Sequence, residues 1–71
     1  MNLFIRLVGP GLDERHLTDL WESREAAVRF WEDAVRRSKC VSFDADDVEG
    51  GVYTVVVRMA DVSTISIVED K

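Results

Sequence analysis

The hydrophobic positions of this chain fall into two kinds of pattern, and each predicts its own elements. Near the start, Leu3-Phe4-Ile5-Arg6-Leu7-Val8 is a short, branched, apolar run closed by Gly9-Pro10-Gly11, which reads as a strand followed by a tight turn. Alternation puts Leu3, Ile5 and Leu7 on one face and Phe4, Arg6 and Val8 on the other. From Leu12 to Lys39 the period changes. Leu17, Leu20, Trp21, Ala27, Val28, Trp31, Ala34 and Val35 share one stripe at roughly 100° per residue. In a continuous helix Arg24 would sit inside that stripe, where a buried guanidinium is costly unless paired. Ser23 resolves the conflict as an N-cap. Glu25 then lies in the first turn and Arg36, Arg37 and Lys39 at the far end, the charge order a helix dipole favours. The spacing predicts a helix from about Arg24 to Ser38. Before it, Asp13 to Trp21 is helical or partly extended, and residues 12–22 stay open between helix and irregular chain.

Strand periodicity returns after Lys39. Val41 and Phe43 point one way in Cys40-Val41-Ser42-Phe43-Asp44-Ala45. Asp46-Asp47-Val48-Glu49-Gly50-Gly51 is an acidic turn whose glycines supply the positive φ a hairpin needs. Val52 to Met59 is the strongest strand; its Val55-Val56-Val57 core is apolar on both faces, which suggests a central position. Ala60-Asp61 makes another turn, and Val62 to Val68 places Ile65 and Ile67 on the core face with Thr64 and Ser66 opposite. The order is strand, helix, three strands (β-α-β-β-β). Short turns favour antiparallel neighbours, so the expected fold is α+β, an antiparallel meander packed against one helix through Val28, Trp31 and Val35. A small bent β-barrel with a helix is the architectural alternative.

Size sharpens this picture. Residues 1–71 make one small domain, and a chain this short buries only about 60 % of its unfolded surface. Cys40 is the only cysteine and His16 the only histidine, so an internal disulfide is impossible and no metal is expected. Self-association is the expected supplement to a meagre core. The start lacks the marks of a signal peptide, no apolar run approaches the ~20 residues of a membrane span, and the lone thiol fits a reducing, cytoplasmic setting. Scarce lysine and abundant valine suit a GC-rich bacterial or phage source.

Charge narrows the partners. Residues 1–40 hold seven basic and seven acidic side chains; the remainder holds Arg58 and Lys71 against seven carboxylates, so the whole net charge of −5 lies there. Nucleic-acid binding needs a basic face, which is missing. A basic protein is the more natural counterpart.

The chemistry-bearing residues read as follows. Asp44-x-Asp46-Asp47-x-Glu49 departs from a calcium-loop pattern and reads as a solvated hairpin that also guards a strand edge. His16 and Cys40 lack a nucleophile turn or an orienting third group; the expectation is a buried or half-buried structural cysteine and a surface histidine. Gly9-Pro10-Gly11 does not match a phosphate loop. Trp21 and Phe30 stand beside the core residue Trp31; the ordinary expectation is that all three enlarge a meagre core, and the alternative is an oligomer or partner surface, which exposed aromatics mark. Arg6 and Arg58 both point off the core, where the ordinary expectation is cross-strand pairing with acidic neighbours; on neighbouring strands they would instead, with Arg24, hold an anion such as a nucleotide phosphate.

These readings converge on a non-enzymatic, acidic protein-binding module of accessory or inhibitor type, using Trp21, Phe30, Asp46, Asp47 and Glu49, with no cofactor. The alternative is an oligomer that holds an anionic nucleotide-type ligand between subunits through Arg6, Arg24 and Arg58.

Overall fold

A computed structural model describes residues 2–70. The elements are β1 (Leu3–Gly9), β2 (Leu12–Thr18), α1 (Arg24–Arg37), β3 (Cys40–Asp46), β4 (Val52–Arg58), a single 3-10 turn (Met59–Asp61) and β5 (Thr64–Glu69). The fold is α+β: one open antiparallel sheet, in the order β4-β3-β2-β1-β5, and one helix. The helix begins where the Arg24 conflict requires. Ser23 is extended, and its side-chain oxygen accepts a hydrogen bond from the Ala26 amide at 3.1 Å, with Glu25 in the first turn and Arg36 and Arg37 in the last.

The segment left open in the sequence is a strand. β2 pairs with β1 along its whole length, from Gly9↔Leu12 to Leu3↔Thr18. Its helix-like spacing of leucines is overridden because the Gly9–Gly11 turn, with Gly11 at φ 74, returns the chain directly alongside an apolar strand. Cross-strand pairing of this kind outweighs local propensity. The element order is therefore β-β-α-β-β-β.

Strand order also departs from a simple succession of neighbours. β5 does not lie beside β4; it crosses to the far side of β1. The 3-10 turn redirects the chain, and Ser63 then bonds the Val8 carbonyl through both its amide (2.8 Å) and its hydroxyl (3.1 Å). Gly9 makes room for this crossing, because a Cβ there would overlap the Asp61 carbonyl oxygen. The result leaves β4 and β5 as the two sheet edges, so the barrel alternative is not realised. It also corrects the central placement of β4: Val55 and Val57 are buried, but Val56 is 70 % exposed.

The core face of the sheet carries Leu3, Ile5 and Leu7, all fully buried, with Val41, Phe43, Ala45, Val55 and Val57. From the helix it receives Ala27, Trp31 and Ala34. Val28 and Val35, expected in that contact, stay outside the buried core, at 37 % and 60 % exposure, and border the groove toward β5. The helix is rotated so that small alanines let it approach the sheet around Trp31, and Val28 and Val35 face outward. Between β2 and β3 a single residue pair, Leu17↔Asp46, joins the ladders. Thr18, the one buried polar side chain among the described residues, secures that seam. Its hydroxyl donates to the Asp44 carbonyl at 2.9 Å and accepts from the Leu20 amide at 3.3 Å.

Candidate functional site

The β3–β4 ribbon is built on the pairing from Cys40↔Arg58 to Asp46↔Val52. The Asp47 amide donates to the Gly51 carbonyl (2.8 Å) and the Met59 amide to the Lys39 carbonyl (2.9 Å). Hydrogen-bonded pairs alternate along an antiparallel ladder, so the backbone groups of Tyr53, Val55 and Val57 face β3. Those of Val52, Thr54, Val56 and Arg58 face the free edge. The side chains of these four residues also leave the core face, and all are exposed; Val52 is 66 % exposed.

At the ribbon's end Asp47 shapes the turn. Its carbonyl accepts from the Gly50 amide at 3.1 Å and its Oδ1 from the Glu49 amide at 3.3 Å, with Gly50 at φ 88. Val48 is fully exposed at the tip. Among the described residues, Asp46, Asp47 and Glu49 have no cationic side chain within ion-pair distance. Asp44, one pair further in, accepts the Thr54 hydroxyl at 2.7 Å. The ribbon thus ends in three uncompensated carboxylates beside an unpaired strand edge. A hollow of about 400 Å³ lies between the end of β4 and the β1–β2 hairpin, lined partly by Val56, Arg58, Leu12 and Glu14.

Trp21 and Phe30 come together as a second group. Their ring centroids lie 5.2 Å apart, and Trp21 also stacks near Trp31 (6.3 Å) and Phe43 (6.2 Å). Trp21 is half-buried against the core and Phe30 sits at the solvent boundary, so these aromatics enlarge the core while staying partly exposed. The two halves of the expected partner surface therefore lie on different elements, the aromatics around α1 and the carboxylates on the hairpin.

The three arginines do not form a site. β3 and β2 separate β4 from β1, so Arg58 and Arg6 are not on neighbouring strands. Arg6 instead makes a bidentate pair with Asp13, at 3.0 and 2.9 Å. That hydrogen bond, reinforced by charge, holds the Asp13 carboxyl below its ordinary range and raises Arg6. The pairing also draws Arg6 away from Arg15, which sits opposite it in the register and lies over the Phe4 ring at 4.0 Å. Arg58 lies 4.0 Å from Asp61, and Arg24 opens the helix.

Cys40 and His16 exchange their expected environments. Cys40 is exposed at the start of β3. The His16 side chain is only 12 % exposed, with Nδ1 hydrogen-bonded to Tyr53 Oη and Nε2 to Glu14 Oε1, both at 2.8 Å. It packs edge-on to Phe43 at 5.9 Å. Both ring nitrogens are therefore engaged by side chains of the sheet itself. The Glu14–His16–Tyr53 chain therefore bolts β2 to β4. The alternation Glu14-x-His16 hints at such a row once β2 is known to be a strand; nothing local points to Tyr53. Among the described residues no cluster of metal-ligating side chains occurs, and no helix is long and apolar enough to cross a membrane.

A third feature was not foreseen. A groove of about 830 Å³ runs between α1 and β5, with Val28, Val35, Val62, Ile65 and Ile67 among its lining residues. Trp31 contributes to it, and its buried Nε1 has no acceptor.

Comparison with known protein families, curated proteins and solved structures finds no match to this chain.

Proposed function

We propose that this chain is a non-enzymatic protein-binding module whose recognition element is the β3–β4 ribbon, acting as a small acidic accessory or inhibitor that occupies a partner protein. The occupant of the site is a basic, extended segment of that partner, added to β4 as a sixth strand. The observation that carries this reading is the one-sided ladder of β4, whose outward backbone groups at Val52, Thr54 and Val56 are flanked by exposed valines.

Strand addition draws affinity from main-chain hydrogen bonds and specificity from side chains at alternate positions. Here those alternate positions offer Val52, Thr54 and Val56. The uncompensated Asp46, Asp47 and Glu49 supply the charge that selects a basic segment and speeds its approach. The rest of the molecule holds this edge still: Val55 and Val57 anchor β4 in the core, and the His16–Tyr53 bond ties its first half to β2.

A peptide alternating Lys and Val, titrated by calorimetry, tests the reading. Binding should weaken as salt rises, and the salt dependence should flatten in the triple variant Asp46→Asn, Asp47→Asn, Glu49→Gln. Val56→Pro removes an outward amide without touching the β3 ladder, so it should abolish binding while the chain stays folded. Undiminished binding by folded Val56→Pro would reject strand addition at this edge.

A further inference from the structure

The second edge of the sheet carries a different message, written in the charges of α1. Glu25, Arg29, Glu32 and Arg36 are all exposed, and their spacing of four, three and four places them in one line along the helix. Among the described residues none of them is within ion-pair distance of an opposite charge. Beside that line lie Val28 and the 60 % exposed Val35, which the rotation of the helix turned away from the core. Glu25, Val28, Arg29, Glu32 and Val35 all line the groove against β5.

The order of signs is minus, plus, minus, plus. One two-fold arrangement engages all four charges of such a line with their opposites. Turned antiparallel about a point between Phe30 and Trp31, it sets Glu25 against Arg36 of a second copy and Arg29 against Glu32, each pair occurring twice by symmetry. A parallel pairing would instead set like charges together, at a cost in affinity. We infer that the α1–β5 face is covered by a second copy of this chain, in a two-fold dimer that lays α1 against its counterpart antiparallel.

Three features of the same face agree with this occupant. A two-fold interface uses one patch twice, so the patch must complement itself, as this charge line does. The apolar floor of Val28, Val35, Val62, Ile65 and Ile67 supplies surface to bury. β5 borders the groove without a lysine or proline in Thr64–Glu69, the residues that usually keep an edge from meeting its own kind. The lining sets two arginines, Arg24 and Arg29, against two glutamates, Glu25 and Glu32, so a foreign partner of a single sign gains no net attraction there. This face is distinct from β4, so the dimer and the strand-addition reading stand or fall separately.

Sedimentation equilibrium of the intact chain tests the inference. The chain should dimerise reversibly. Arg29→Glu should raise the dissociation constant by about tenfold or more, since it creates two like-charge contacts, and Val35→Glu should do the same. Combining Arg29→Glu with Glu32→Arg restores opposite charges across the two-fold and should recover the dimer. Circular dichroism of each variant checks that the helix persists. A chain that stays monomeric up to about 1 mM overturns the inference. So does a folded double variant that remains as dissociated as Arg29→Glu.

Discussion

The two edges of this sheet make an instructive pair. β4 and β5 are strands of nearly equal length, each bonded on one side only, yet they are furnished in opposite ways. On β4 the outward backbone belongs to residues whose side chains also face away from the core, so a new strand would meet Val52, Thr54 and Val56 on an open surface. On β5 the Asp70 amide donates to the Asn2 carbonyl at 3.0 Å, which by the same alternation turns the backbone of Ile65 and Ile67 outward. Their side chains point to the core face, beneath α1. One edge offers backbone flanked by exposed valines beside a net negative turn, the other an apolar groove rimmed by both signs. The difference teaches that an unpaired edge is read through the side chains around it.

That contrast can be broken at several depths. The largest effect is expected from Trp31→Ala, which empties the contact between α1 and the sheet; loss of about 3–5 kcal/mol in a denaturant titration would follow. Val55→Pro comes next. It removes an inward amide and a buried side chain and should destabilise by at least about 3 kcal/mol. Val56→Pro, one residue away, should cost under about 1 kcal/mol, because proline is tolerated where the amide faces solvent. If the two proline variants prove equally unstable, the assignment of inner and outer faces on β4 is wrong. Hydrogen exchange offers a gentler check. The amides of Val55 and Val57 should exchange much more slowly than those of Thr54 and Val56.

The smallest effect concerns Asp13. Arg6 lowers its folded-state pKa, so the pair stabilises the fold above the ordinary carboxylate range, and that contribution fades as pH falls through the lowered value. Arg6 is raised, so its share persists across neutral pH and is lost only in strong base. Asp13→Asn should lower the melting temperature slightly at neutral pH, by less than any substitution above. In acid the two proteins should melt together. Since both partners are exposed, a large difference at any pH would show that β1–β2 pairing relies on more than its backbone.

Much of this architecture was legible in the residues. Leu3, Ile5 and Leu7 announced a core face, Ser23 announced the helix start, and Val41 and Phe43 the inner side of β3. β2 was hidden because Asp13, Glu14 and Arg15 place charges on both of its faces, while Leu17, Leu20 and Trp21 happen to keep helical spacing. Strand order was hidden for another reason: the crossing to β1 depends on the missing side chain of Gly9, and a space that must stay empty leaves no periodic trace. Val55-Val56-Val57 misled because apolar residues on both faces usually mean a covered strand, and here the outer valine has been left uncovered. The carboxylates of the hairpin tip were readable as a turn. The groove was not, since it follows from a modest rotation of α1 that swaps Val28 and Val35 for Ala27 and Ala34.

The adjacency of β1 and β5 bears on how the chain comes into being. These strands are joined side by side across about sixty residues of chain, so on the ribosome β1 emerges well before its outer neighbour. Contacts of such long range close slowly because the entropy of a large loop must be met before any bond forms. Until then the β1–β2 hairpin and the β3–β4 hairpin can each form locally, but Leu3, Ile5 and Leu7 lie under an incomplete roof. The nascent chain passes through an interval in which its most apolar strand has one flank open, the interval in which early binding by a chaperone would matter most.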